Sequence, residues 1–211
     1  IERNMQKMYR IREQETRVRL SVVTYAYPFA ERAFTRFCVN YIDTAHSLKC
    51  RLRRIGMVSQ GVEYLQRDEA DVAMVTCRQE LYGQFEADFK KEGLYSEVLA
   101  HTTLNVVMPE THPLAGRETV DLQEYAKYPC ISNEGLDKNY APPEVEELLR
   151  QVDLHIVMEP GRARYELLED SDSFVICTPY QVEELRRHHL VEKKIPNANR
   201  NLVLLMKEEN Q

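Results

Sequence analysis

The sequence predicts an α/β fold made of two successive units, and three features carry that expectation. Strands and helices alternate as β-α-β-α-β between residues 17 and 76, an order whose helical crossovers imply a parallel sheet. Asp71-Val72-Ala73-Met74-Val75 is a short apolar run closed by Thr76, the pattern of a strand buried on both faces. The alternation begins again near residue 104 with no Pro-, Gly- or Ser-rich linker between, so two lobes joined by strands are expected.

Residues 1–15 read as the end of a helix, because Ile1, Met5, Met8 and Ile11 form a narrow apolar stripe of the kind that pairs with another helix. Residues 17–23 alternate polar and apolar and then turn apolar, which is a strand. Thr24-Tyr25-Ala26-Tyr27 breaks it, and Pro28 suits the first turn of a helix over 29–41. That helix carries Ala30, Ala33, Phe34, Phe37, Cys38 and Tyr41 on one face. An Arg-studded strand follows at 47–57. Ser59 then stands as the N-cap of a helix that buries Val62 and Leu65 and ends near Arg67. Leu104-Asn105-Val106-Val107-Met108 is a strand stopped by Pro109 and Pro113. Helices are expected at 121–126, 143–151, 162–169 and 180–187, with strands at 130–131, 154–158, 173–177 and 201–206.

The chain has 211 residues, 43% of them hydrophobic, enough to bury a sizeable core. No apolar run approaches the ~18 residues of a membrane span. The charged N-terminus has no signal-peptide core, and the missing initiator Met suggests a piece of a longer chain. The net charge of -6 argues against a general nucleic-acid binder, although the first twenty residues hold six Lys/Arg against three Asp/Glu. Five Cys at wide, irregular gaps form neither CxxC nor Cys/His pairs, which disfavours a zinc site or a disulfide scaffold and suits a reducing cytoplasm. Several, such as Cys38 and Cys177, lie in apolar surroundings and read as inert structural thiols.

Dinucleotide, P-loop, hydrolase-elbow and zincin motifs are all absent. His188-His189 diverge by about 100° on a helix and read as a solvated helix end. His155 reads as a core residue, and the pairs Glu146/Glu147 and Glu183/Glu184 as solvated helix faces. No nucleophile stands with its base, so the residues point to a binding module without catalytic residues, metal or cofactor.

These segments resemble the effector-binding domain of LysR-type transcriptional regulators, from about residue 17 to 207. The most specific piece is Leu104-Asn105-Val106-Val107-Met108-Pro109-Glu110-Thr111-His112-Pro113-Leu114-Ala115, followed by Val120-Asp121-Leu122-Gln123-Glu124-Tyr125-Ala126. Asp71-Val72-Ala73-Met74-Val75 and Val175-Ile176-Cys177-Thr178-Pro179 match further family stretches in the same order. The resemblance implies a two-lobed, periplasmic-binding-protein-like (type II) fold with mixed sheets, flanking helices and a cleft between lobes. Lobe I would comprise residues 17–102 and 180–211, and lobe II residues 103–179. Residues 1–16 would be the tail of a dimerising linker helix. DNA contact would belong to an N-terminal winged helix-turn-helix outside this chain, and the assembly would be a homodimer, or a tetramer in the full-length protein. The sequence departs from the family at Ala26 and Tyr27, at Asp172-Ser173-Phe174 and at residues 136–143, all near the expected cleft.

Ligands of open α/β sheets bind beyond the carboxyl ends of strands, where helix N-termini present free N–H groups. Applied to the resemblance, that rule selects Thr24, Tyr25 and Ala26 after the first strand and Thr76 after the third. It also selects Thr102 and Thr103 at the crossover, Ser132 and Asn133, Gly161 and Arg162, and Thr178. The expected effector is a small organic anion, a carboxylate, with one of Arg162 and Arg164 facing the cleft, since two residues apart on a helix they diverge by about 200°. The alternative is that both are solvated or pair with Glu159 or Glu166. Two alternatives stand beside this reading. One is a free-standing solute-binding protein of the same fold. The other is a thiol-based redox sensor of the same family, which would need two thiols that meet; the nearest pair in sequence is Cys38 and Cys50.

Overall fold

The computed structural model of the chain describes residues 17–25, 27–119, 121–132, 141–158 and 161–210. The expected linker-helix tail at 1–16 lies outside these residues. The first unit opens with β1 (Arg17–Thr24), α1 (Pro28–Ile42), β2 (Ser47–Arg54), α2 (Val58–Gln66) and β3 (Val72–Arg78). β1 pairs in parallel with β2 along its whole length and with β3 at Val22, Val23 and Thr24. Pro28 opens α1, where its missing N–H would have had no helical partner anyway. At α2 the N-cap is Met57 rather than Ser59. The Gln60 side chain does the capping, accepting from the N–H groups of Gly56 (2.8 Å) and Met57 (3.2 Å). One turn on, Gly61 lets α2 lie flush on the sheet: a Cβ there would stand 3.2 Å from Ile55 Cδ1 and 3.4 Å from Ala73 Cβ.

A 3-10 turn (Gln79–Leu81) leads into α3 (Tyr82–Lys91) and then β4 (Leu94–Pro109). The sequence expectations lack α3 and give β4 only its last third. α3 carries four charged residues in ten, and its apolar signal is thin: Phe85 and Phe89, one turn apart with ring centroids 5.9 Å from each other, of which Phe89 is buried. The second unit follows the expected order closely. Asp121 caps a 3-10 helix (Leu122–Lys127) by accepting from Gln123 N at 3.0 Å. Then come β5 (Cys130–Ser132), α4 (Pro143–Gln151), β6 (His155–Val157), α5 (Arg162–Glu169), β7 (Phe174–Cys177), α6 (Val182–Arg187) and β8 (Leu190–Lys207). His155 is exposed, not a core residue, because β6 is an edge strand; its neighbours Leu154 and Val157 are exposed too.

One eight-stranded sheet runs through both units in the order β2-β1-β3-β8-β4-β7-β5-β6. It is mixed. The pairs β1/β2, β1/β3, β5/β6 and β5/β7 are parallel, while β3/β8, β4/β8 and β4/β7 are antiparallel. β4 and β8 are the two long strands that cross from one unit to the other. Their register slips between Thr103 and Asn105, opposite the stretch that holds Pro196 and the left-handed Asn197 (φ 56°). Apolar packing divides at the same place. One core gathers Val23, Leu65, Val75, Phe89, Val203 and Leu205; two others gather Leu104, Met108, Leu148, Phe174 and Ile195, and Val107, Ile131, Leu168 and Leu190. The sequence expectation assigns all of 180–211 to lobe I, yet Leu190, Ile195 and Ala198 pack in the second unit and only the strand from about Leu202 packs in the first.

The His112-Pro113-Leu114 segment has a structural explanation. The His112 Nδ1 accepts from Leu114 N at 3.0 Å, and its ring packs on Tyr128 at 4.4 Å. Burial holds the imidazole below the ordinary histidine value of 6.5, with Asp172 pulling weakly the other way. As pH falls through that value the unfolded chain takes up a proton that the folded chain resists, so this contribution to stability is full above it and is lost on acidification. His112→Asn keeps an acceptor for Leu114 N. It is expected to flatten the fall of urea midpoint between roughly pH 7 and pH 5 relative to the parent protein.

Candidate functional site

A cavity of about 450 Å³ lies between the two units. Tyr25, Tyr27, Glu31, Arg54 and Gly56 line it from the first unit, from the ends of β1 and β2 and the start of α1. From the second come the end of β5 (Ile131, Ser132), α5 (Arg162, Arg164, Tyr165), the end of β7 (Cys177, Thr178), and Tyr180, Glu184, Arg187 and His188 on and around α6. Strand C-termini and helix N-termini converge there, as parallel βα units dictate.

Five of the expected residues line this cavity: Tyr25, Ser132, Gly161, Arg162 and Thr178. Thr178 also borders a smaller recess of about 250 Å³, with Thr76, Thr102, His101 and Phe29. Tyr27 accounts for the displacement of Thr76 from the main cavity, since its hydroxyl donates to Thr76 Oγ1 at 2.7 Å and its ring stacks on Phe29. Thr103 borders neither space; its hydroxyl contacts the backbone oxygens of Leu104 (3.2 Å) and Ala198 (3.3 Å) at the register slip. Thr24 is fully buried and borders neither space. Ala26 and Asn133 lie outside the described residues.

The two arginines of α5 separate as their spacing requires. Arg162 extends outward, its side chain 91% exposed, and pairs with Glu166 at 2.7 Å one turn along. Arg164 is buried, donates to Met158 O and hydrogen-bonds Tyr180. Around it burial pushes the Cys130 and Cys177 thiols and the Tyr165 phenol up to about 12, and the Tyr180 phenol well above its usual value, while the guanidinium pulls each of them back. The floor of the cleft is therefore a fixed positive charge among neutral thiols and phenols. None of these groups is primed to act as a nucleophile, and the arrangement suits holding a ligand.

Sequence reasoning missed the wall built by α6. Glu184, Arg187 and His188 stand at i, i+3 and i+4 and so share one helical face toward the cleft. His188 is not a solvated end: its Nδ1 meets Glu169 Oε1 at 2.6 Å, and its ring stacks on Tyr165 at 4.0 Å. His189, with positive φ and 81% side-chain exposure, is solvated. Glu184 also departs from its expected solvated face, because its Oε2 is sealed from solvent without a hydrogen-bond partner among the described residues. Opposite, Arg54 grips Glu31 through Nε (2.8 Å) and a terminal nitrogen (2.7 Å). Among the described residues no three His, Cys, Asp or Glu side chains gather as a metal site, and no helix is long and apolar enough to cross a membrane.

Two α/β units on a shared sheet, with a cleft between them lined by aromatic, aliphatic and charged side chains, define a ligand-binding module of the type II periplasmic-binding-protein kind. The LysR substrate binding domain family matches residues 12–209, and the chain belongs to that family. Solved structures agree on the fold. The regulatory domain of MetR, a LysR family regulator from N. meningitidis, superposes with a TM-score of 0.63 at 15% identity, over 92% of this chain and 86% of that one. The reduced regulatory domain of OxyR2 from Vibrio vulnificus gives 0.61 at 13% identity, over 92% and 88%. The cofactor-binding domain of the Cbl transcriptional regulator gives 0.59 at 15%, over 91% and 81%. At such identities the likeness speaks for the fold alone. No curated protein matches the sequence.

Proposed function

We propose that this chain is the effector-sensing part of a cytoplasmic LysR-type transcriptional regulator, and that it binds a small carboxylate in the cleft between its units. Lobe I would be residues 17–102 with the strand from about Leu202, and lobe II the chain between. The observation that carries the reading is the buried Arg164 guanidinium on the cleft floor, beside Tyr180 and near Ser132. A guanidinium in a site of low dielectric pairs with a carboxylate in bidentate fashion. The sealed Glu184 oxygen offers an acceptor for a hydroxyl or amino group on the same ligand. Binding would change the angle between the units and so the DNA affinity of an N-terminal winged helix-turn-helix joined through residues 1–16. The test is a thermal-shift screen of small mono- and dicarboxylates against matched amides and amines. Stabilisation by acids is the expected result, and stabilisation by cations or neutral apolar compounds alone overturns the anionic reading.

A homodimer is part of the same proposal, with a tetramer open to the full-length regulator. Within the chain Phe29 stacks on Tyr27, and Tyr64 of α2 lies under Arg53 at 4.7 Å. The most exposed apolar side chains of α1 are Val39 (59%) and Ile42 (63%), ahead of Phe29 and Tyr41. Light scattering at ~100 μM is expected to give a dimer that Val39→Glu with Ile42→Glu converts to monomer. A parent protein that is monomeric at that concentration counts against the assembly.

A further inference from the structure

The ring of Tyr27 stands between the main cavity and the smaller recess. It lines the cavity of about 450 Å³. Two groups that it touches, Thr76 and Phe29, line the recess of about 250 Å³. The two spaces come so near each other that Thr178 borders both. Tyr27 is only 3% exposed and is held on three sides. Its hydroxyl donates to the buried Thr76 Oγ1 at 2.7 Å, its ring stacks on Phe29 at 5.3 Å, and the Tyr25 ring meets it edge-on at 5.7 Å. The backbone is pinned as well. Tyr27 is the N-cap of α1, where its carbonyl accepts from Ala30 N at 3.0 Å and Glu31 N at 3.1 Å. Its own N–H donates to Tyr25 O at 2.7 Å. A side chain fixed at both ends is a wall, not a gate.

We infer that the recess is a second compartment of the effector site, and that Tyr27 is the partition that closes it off and so sets the greatest length of effector the cleft accepts. The inference rests on the reading of the cleft as the effector site. A ligand whose carboxylate sits on Arg164, on the second unit's side, meets the Tyr27 ring on the first unit's side. Beyond that ring the recess has what a ligand site needs: hydroxyls from Thr76, Thr102 and Thr178, and apolar walls from Phe29, Ala100 and Leu202. Cutting Tyr27 back to Cβ joins the two spaces and brings Thr76 and Thr102 within reach of the ligand's far end. A polar group there replaces the hydrogen bond that Thr76 loses with the Tyr27 hydroxyl. The selection is by length and not by charge, because neither threonine carries one.

The test is a thermal-shift series of linear dicarboxylates from malonate to sebacate on the parent protein, Tyr27→Ala and Tyr27→Phe, with each unliganded melt measured first. The parent is expected to be stabilised by short members only, with the shift lost beyond a definite length. Tyr27→Ala is expected to move that limit to longer members. Tyr27→Phe keeps the ring without the bond to Thr76 and is expected to keep the parent's limit. A residue that served the fold alone would move the unliganded melt and leave the limit where it was. Tyr27→Leu replaces the alanine variant if that one fails to fold, since it keeps apolar bulk without reaching Thr76. If no diacid stabilises the parent, the anionic reading of the effector fails, and matching linear diols carry the length series instead. A limit that Tyr27→Ala leaves in place, a parent stabilised as strongly by the longest members as by the shortest, or no response of any variant to either series overturns the inference.

Discussion

Replacing Phe174 by alanine is expected to cost about 3–5 kcal/mol of folding free energy, a large share of the roughly 5–15 kcal/mol that a domain possesses. Phe174 is fully buried, at the start of β7, with its ring 5.2 Å from that of Tyr125. Its backbone N–H donates to Pro129 O at 2.9 Å, which sets the parallel register of β7 with β5. A cavity there would sit in the middle of the second unit's core, among Leu104, Met108 and Leu148. For a chain of this length the melting temperature should fall by roughly 6–20 °C. Calorimetry with Phe174→Leu as the milder partner checks it. A loss below about 1 kcal/mol would mean that the site closes over the missing ring.

The second large effect is on ligand binding. Arg164→Met is expected to abolish the thermal stabilisation by whichever carboxylate the screen yields, which at a hundredfold excess over Kd is worth about 2.7 kcal/mol. Arg162→Ala is expected to keep it. The contrast follows from placement, since Arg164 is buried on the cleft floor while Arg162 points outward against Glu166. The unliganded melt of each variant is measured first, and Arg164→Lys separates the need for a positive charge from the need for a planar fork. Equal loss in both arginine variants would place the binding charge elsewhere on the cleft wall.

Much of the fold was legible because it rests on periodicity. α4 was read at its observed ends, since Val145 and Leu148 mark one buried face and Pro143 marks the start. β3 was legible from an unbroken apolar run. α3 was not, because two phenylalanines among charged residues are too few to set a period. The long strands were half legible. β4 and β8 lie in apolar surroundings only where they back onto a core, and Thr102, Lys194 and Asn199 interrupt the pattern where they cross. At the site, the rule of strand ends found Tyr25, Ser132, Gly161, Arg162 and Thr178. It passed over Glu184 and His188 and left Arg162 and Arg164 as alternatives, because these side chains reach the cleft from helix faces, where only the fold decides which side of a polar helix is inward.

The crossing of β4 and β8 sets a mechanical limit on this protein. Two hydrogen-bonded strands are a ribbon, stiff along its length and against stretching but compliant in twist. Because both strands pass uncut from one unit to the other, the cleft cannot open like a door on a loose chain. A change of its width has to deform that ribbon, by twisting or bending it where the two units join. The slipped register at Thr103, with Pro196 and the left-handed Asn197 opposite, is the segment with the fewest ladder bonds to resist such a deformation. A ligand in the cleft would therefore work against a spring, and the stiffness of four or five residues at the crossing would set how much of its binding energy emerges as motion.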